Sequence, residues 1–367
     1  MKKQYSLYHL ITTAVFVGIL LSVTIFLMVT VYVGRDEAIS DTCLDGTAIE
    51  GNSFLDRFER SVYQNDTMLS LIRDYQYRLF GIVAEDDVIA GKNDFLFETN
   101  DPEFDYNYLD DYLGKLSFTQ EESAQILVNL QQRKDAYANE GVEFLLVILP
   151  NSQTVYSENM PNYMGDIQTT RLDRLEDYLE ANGFTDFVDL TDSLISYKDQ
   201  GPLYNNTENS LNALGLYYTY LSVCELLPTV MAKTRIISRG ELSFFQHTTT
   251  GKTAARRAGL SDVAMNLTVS LSNNTRLNYR AVQHKHITKT TLLPFESLDI
   301  NYTPSLLLQF SNTWERLQLE PFFSNTFKSV TYQTDLSDDA QTFDLAQPRA
   351  VIQFIYENEL SLLCDSY

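Results

Sequence analysis

The sequence predicts an α/β fold, an open and mostly parallel sheet with helices on both faces, preceded by one N-terminal transmembrane helix. Three observations predict it. Nearly continuous apolar runs such as Val142–Leu149, Ser305–Phe310 and Ala350–Ile355 read as strands buried on both faces. Amphipathic stretches with helical spacing alternate with them, the rhythm of βα units. One long uncharged segment lies near the N-terminus. Of the 367 residues, 44% are hydrophobic and 21% charged, enough apolar material for a packed core and too much for a disordered chain. Forty-nine acidic against 27 basic residues give a formal charge of −22, which opposes nucleic acid as a partner, because phosphate recognition rests on clustered Lys and Arg.

Residues 10–34 carry no charge and would span roughly 37 Å as a helix at ~1.5 Å per residue, enough to cross a bilayer. The run is longer than the apolar part of a signal peptide and leads directly into Arg35-Asp36-Glu37, so it reads as an uncleaved anchor. Lys2 and Lys3 place residues 1–9 in the cytoplasm and everything after the anchor outside. Residues 35–85 then read as a helical neck, with Phe54, Leu55, Phe58, Val62, Met68, Leu69, Leu71, Ile72, Tyr75 and Leu79 at three- and four-residue spacing. Cys43, Cys224 and Cys364 are too few for a disulfide framework and lack zinc-binding spacing. Sparse cysteine in an exported chain suits a bacterial cell surface.

The main domain is expected over residues 86–367. Val88–Glu98 alternates apolar pairs around Gly91 and Asn93-Asp94, two short strands joined by a tight turn. Thr119 and Glu122 form a capping-box pattern at the start of a long amphipathic helix that ends at Gly141. The strand Val142–Leu149 follows, then a helix over Thr169–Asn182, a strand over Phe184–Leu190 and a helix over Leu211–Leu227. The rhythm returns with Ser305–Phe310, a helix over Trp314–Asn325, Ser329–Tyr332 and Ala350–Ile355. Residues 234–303, rich in Thr, Ser, Asn and Arg, read as an insertion or lid.

Ligands of open parallel sheets bind at the carboxyl ends of the strands, which singles out three places. They are the segment from Pro150-Asn151 to Glu158, the loop from Tyr204 to Gly215, and Gln309-Phe310-Ser311-Asn312-Thr313-Trp314. The stretches VIAGKNDFLFE, LLVILPNSQTVYSENMP, FVDLTDSL, the Asn-x-x-Gly helix start at 212–215, and LLLQFSNTWERLQLEPFF through AVIQFIYENEL resemble alginate O-acetylation proteins of the AlgJ/AlgX type. They similarly resemble the related DHHW proteins of Gram-positive bacteria, within the SGNH-hydrolase-like superfamily, over roughly residues 80–367. The resemblance implies a flavodoxin-like α/β/α fold and an anchored or exported location. It also implies association with O-acylation of a surface polysaccharide beside a membrane-bound O-acyltransferase.

The resemblance further implies a serine in a Gly-Asp-Ser motif and an Asp and His in a Thr-Asp-x-His-Trp-Asn-like motif. Serine hydroxyl attacks only when an imidazole takes its proton, and a carboxylate holds that imidazole in place. Against that pattern Thr207 and Asn212 match and Glu208 takes the aspartate position, but Ser210 stands where the histidine belongs and Leu211 replaces the tryptophan. Ser311 occupies the nucleophile position in one register; in the other, Asn312 replaces it. Asn151, Thr207, Ser210, Asn212 and Trp314 are candidate pocket residues, Trp314 as a platform for a sugar. Of the four histidines, His9 borders the anchor, and His247, His284 and His286 are the remaining bases; His284 and His286 form a conceivable metal pair. The pattern calls for no cofactor and no resident metal. The expectation is a catalytically degenerate, membrane-anchored accessory of polysaccharide O-acetylation or assembly. The alternative is an active O-acetyltransferase or esterase using Ser311 and a displaced histidine.

Overall fold

The structure, a computed structural model, describes residues 66–83, 85–227, 235–272, 279–281, 292–297, 305–311, 314–333 and 348–365. The expected anchor at 10–34, His9, Cys43, His284, His286 and Asn312 lie outside the described residues. Among the described residues no helix is long and apolar enough to cross a membrane. The chain divides into two compact units, residues 1–81 and 82–367. The first contributes helix α1 (Asp66–Phe80), the described part of the expected neck.

The second unit is built on a seven-stranded sheet. Its strands are β3 (Glu143–Leu149), β4 (Phe187–Asp189), β7 (Tyr279–Ala281), β8 (Leu292–Ser297), β9 (Ser305–Phe310), β10 (Ser329–Gln333) and β11 (Ala350–Tyr356), in the order β4-β3-β11-β9-β10-β8-β7. The first five strands of that order run parallel; β8 is antiparallel to β10, and β7 to β8. Two small antiparallel pairs stand apart, β1 (Val88–Ala90) with β2 (Leu96–Glu98), and β5 (Phe244–Thr249) with β6 (Asn266–Leu271). The turn between β1 and β2 places Asn93 and Asp94 at positive φ, where short polar side chains are tolerated best.

Alternation along the central strands divides the core between the two faces. Val147, Leu149, Leu306, Leu308, Phe310, Ile352 and Phe354 face a core completed by α7 (Ala213–Leu226) and α9 (Trp314–Thr326). Leu146, Ile148, Leu307, Val351 and Ile355 face a second core with α3 (Gln120–Asn139) and α5 (Arg171–Ala181). All seven residues of β11 are buried, as its continuous apolar run requires. Helix α3 starts with the expected capping box: Thr119 Oγ1 accepts from Glu122 N at 3.1 Å, and Glu122 Oε2 accepts from Thr119 N at 2.8 Å.

Two segments depart from the sequence reading. The strand expected over 184–190 pairs only at 187–189, because Phe184 turns into the core just after α5, its N–H donating to Leu179 O at 3.0 Å. The region 234–303 divides: β5 and β6 form the separate hairpin, whereas β7 and β8 extend the main sheet. Pro294 sits where β8 runs beyond its pairing with β7, so its missing N–H removes no bond on that side. Cys224 and Cys364 are free thiols, the first in the α7 core and the second against the opposite face of the sheet.

Candidate functional site

The carboxyl ends of the parallel strands bring four segments together. Strand β3 leads through Pro150-Asn151 into α4 (Ser152–Val155); β4 leads into α6 (Thr191–Ser196); Ser311 directly follows β9; and β11 leads into a 3-10 helix over Glu357–Cys364. The loop 204–212 and the segment 98–112, which contains α2 (Tyr108–Tyr112), close over them.

Asn151 organises the centre. Its backbone N–H donates to Glu357 Oε2 at 2.8 Å, its Nδ2 donates to Tyr106 OH at 3.2 Å, and its Oδ1 accepts from Asn209 Nδ2 at 2.9 Å. Ser152 N donates to Asn209 Oδ1 at 2.6 Å, so one amide from the 204–212 loop clamps the start of α4. Thr154 Oγ1 adds a second donor to Glu357 Oε2 at 2.8 Å. Tyr106 OH in turn donates a hydrogen bond to Asp111 Oδ2, and Arg171 N donates to the other oxygen of Asp111 at 2.6 Å. Tyr108 and Asn358 converge on Asp101 Oδ2, at 3.3 and 2.9 Å.

The loop carrying Glu208 is held as rigidly. Thr207 is fully buried; its Oγ1 donates to Asn266 Oδ1 at 2.9 Å and accepts from Lys252 N at 2.9 Å, which ties the loop to the segment around β6. Ser210 Oγ donates to Glu208 Oε2 at 3.1 Å and accepts from Asn205 Nδ2 at 2.8 Å, while Thr253 Oγ1 donates to Glu208 Oε1 at 3.2 Å. Asn212 is the N-cap of α7: its Oδ1 accepts from Leu214 N and Gly215 N at 2.9 and 3.2 Å. Gly215 is required here, because a Cβ would come within 2.3 Å of the Leu203 carbonyl oxygen. The Asn-x-x-Gly spacing therefore joins a cap to a close backbone approach.

Ser311 lies half-buried at the end of β9 and donates to Glu359, whose same oxygen accepts Tyr356 N at 3.1 Å. Thus Glu208 and Ser210 meet each other, whereas Ser311 meets a carboxylate that sequence reasoning missed. His247 lies on β5 opposite Thr268, its ring stacked on Phe245 at 4.9 Å, and no hydrogen bond among the described residues joins it to Ser311 or Ser210. Trp314 is the first residue of α9. Among the described residues no three His, Cys, Asp or Glu side chains are grouped to hold a metal ion.

The edge is rich in buried acids. Burial pushes the Glu357 carboxyl up to about 8, helped by Asp111 and opposed by the donors Asn151 and Thr154. Burial also raises Asp111, against the stabilising donors Tyr106 and Arg171 N. Glu98 is raised by burial although Arg257 Nε stands 3.2 Å away, and Asp189 is pushed by burial to about 6 against two bonds from Thr191. One cation offsets the inner pair: the Arg171 guanidinium lies between the rings of Tyr106 and Phe118, 4.7 and 4.6 Å from their centroids. The result is a buried, hydrogen-bonded cluster of amides, hydroxyls and carboxyls, with no hydrogen bond from an imidazole to Ser210 or Ser311 among the described residues.

Glu357 and Glu359 directly follow a strand run, so the rule that singled out Asn151 and Ser311 applies to them equally. Asp101 and Tyr106 come from an irregular stretch, and Asp111 from the five-residue helix α2, too short for its spacing to carry a signal.

No family model matches the sequence, and no curated protein matches it. Among solved structures the fold is similar to a DHHW family protein from Eubacterium siraeum, with 13% identity, a TM-score of 0.51, and coverage of 76% of this chain and 97% of that one. It is likewise similar to Bacillus cereus PatB1, solved with a sulfonyl adduct, with 11% identity, a TM-score of 0.52, and coverage of 75% of this chain and 95% of that one. The O-acetyltransferase domain of Pseudomonas putida AlgJ aligns at 14% identity with a TM-score of 0.45, over 75% of this chain and 92% of that one.

Proposed function

We propose that this chain is an SGNH-like protein held on the outer face of a bacterial membrane by residues 10–34. There it serves O-acetylation or assembly of a surface polysaccharide as a non-catalytic partner of a membrane-bound O-acyltransferase. The motif resemblance and the shared fold support the class. One observation carries the non-catalytic role: Ser210 occupies the imidazole position and spends its proton on Glu208 at 3.1 Å. A hydroxyl there cannot relay a proton at neutral pH as an imidazole does, so the serine at 311 lacks the base that makes it a nucleophile. What remains is a rigid wall of amides and carboxyls suited to sugar hydroxyls.

A second reading draws on the Ser311–Glu359 hydrogen bond, which pairs a serine with a carboxylate able to take its proton. Incubation with phenylmethylsulfonyl fluoride, followed by intact mass measurement, separates the two. The non-catalytic reading predicts an unmodified chain after prolonged exposure. One sulfonyl adduct that is absent in Ser311→Ala and slowed in Glu359→Gln establishes the second reading instead.

A further inference from the structure

Away from the buried acids, helices α3 and α5 leave a cleft of about 360 Å³ between the first turn of α3 and the middle of α5. That exceeds the roughly 300 Å³ at which small-molecule sites begin. The buried Leu175 forms its floor, and Ser117, Phe118, Gln120, Ser123, Arg174 and Tyr178 line it.

The lining decides what chemistry fits. Ser117, Gln120 and Tyr178 bring a hydroxyl, an amide and a phenol that have no protein partner among the described residues. Ser123 Oγ donates to Thr119 O at 2.9 Å and keeps its lone pairs for another donor. Arg174 gives Nη1 to Leu116 O at 2.5 Å and Nη2 to Gly114 O at 2.9 Å, with further N–H groups to spare. No carboxylate lines the cleft, although the chain has 49 acidic residues, so a cation would meet no counter-charge there. An anion is disfavoured in turn, because Glu122 accepts from Thr119 N at 2.8 Å and sets its own negative charge at the positive end of α3. A neutral body with several hydroxyls satisfies both conditions.

Phe118 supplies the apolar contact for such a body. The Arg171 guanidinium, 4.6 Å from its centroid and 4.7 Å from that of Tyr106, holds the ring in a fixed orientation. Polarised C–H groups on one face of a sugar ring pack well against the electron-rich face of an aromatic ring. The same stack joins the cleft to the strand ends, since Tyr106 OH accepts from Asn151 Nδ2 at 3.2 Å.

We propose that the cleft between α3 and α5 is a second saccharide site, which takes one neutral sugar residue with its ring on Phe118 and its hydroxyls on Ser117, Gln120, Arg174 and Tyr178. It rests on the reading that this chain serves a polysaccharide, and it gives the polymer a place to bind outside the strand ends.

The test is saturation-transfer NMR on the full chain in a sugar-free detergent, with a mixture of glucose, galactose, mannose and N-acetylglucosamine as the probe. The unaltered protein should transfer saturation to at least one of these sugars. Ser117→Trp and Gln120→Trp, both at exposed positions, fill the cleft without entering the core. Each should weaken binding of that sugar at least tenfold, with an unchanged circular dichroism spectrum, and Phe118→Leu should do the same by removing the aromatic face. Glu208→Gln, at the strand ends, should leave the transfer as it was. Transfer that survives both tryptophan variants overturns the proposal. Transfer lost in Glu208→Gln puts the sugar at the strand ends, which overturns the cleft and leaves the polysaccharide reading standing. No transfer to any of the four sugars overturns the cleft and the saccharide part of that reading together.

Discussion

Glu357→Gln isolates the proton held at the buried carboxyl that follows β11. Glu357 is fully enclosed, its carboxyl raised to about 8 by burial and by Asp111. In the unfolded chain it returns to about 4.5, so between pH 4.5 and 8 the folded protein holds a proton that the unfolded chain has released. Stability is therefore greatest below pH 4.5 with respect to this group and is lost as pH rises through the folded value. Carrying the carboxyl over that range is worth at most about 5 kcal/mol at ~1.4 kcal/mol per pH unit, and the electrostatic coupling to Asp111, which titrates with it, reduces the observable part to about 2–3 kcal/mol. The glutamine keeps an acceptor for Asn151 N and Thr154 Oγ1 and titrates nowhere in the range. Its extra N–H adds an offset that does not vary with pH. Urea unfolding of residues 36–367 from pH 5 to 8.5 should show the variant gaining about 2–3 kcal/mol on the unaltered protein across that range. Glu98 and Glu176, both raised by burial, act in both proteins and cancel from the difference. Parallel curves for the two proteins would refute the assignment of a stored proton to Glu357.

Gly215→Ala should destabilise by about 3 kcal/mol or more, because the added Cβ meets the Leu203 backbone carbonyl at 2.3 Å, which has nowhere to move; calorimetry should show Tm lower by roughly 6–12 °C. Arg171→Met removes the cation between Tyr106 and Phe118 and leaves Asp111 without its opposing charge, at a cost of about 3–5 kcal/mol near neutral pH. Because Asp111 is neutralised by protonation as pH falls, denaturant titrations at pH 5 should show a smaller deficit than at pH 7.5; an equal deficit at both would show that Arg171 acts through packing alone.

Much of the fold was legible because its strands are buried on both faces. The apolar run at 305–310 is β9 to the residue, and the Thr119–Glu122 spacing is a formed capping box. Strands β7 and β8 lie within the stretch rich in Thr, Ser, Asn and Arg that reads as an insertion, and Pro294 argues against a strand unless the pairing is known. At the site, the 204–212 loop was legible through its Asn-x-x-Gly helix start. The partners of Asn151 and Arg171 were not, since Tyr106 and Asp111 reach them across 45 and 60 residues from a stretch without periodicity. The pairing of Ser311 with Glu359 spans 48 residues and depends on the register of β11 against β9, which no local pattern encodes.

The central claim is that a serine at the nucleophile position stands here without a working base. Turnover of a chromogenic acetyl ester by residues 36–367, compared among the unaltered protein, Ser311→Ala and Glu359→Gln, tests it most directly. The account predicts that all three match the rate without protein. Turnover by the unaltered protein that disappears in Ser311→Ala would contradict it, and its loss or survival in Glu359→Gln would show whether that carboxylate or a histidine serves as the base.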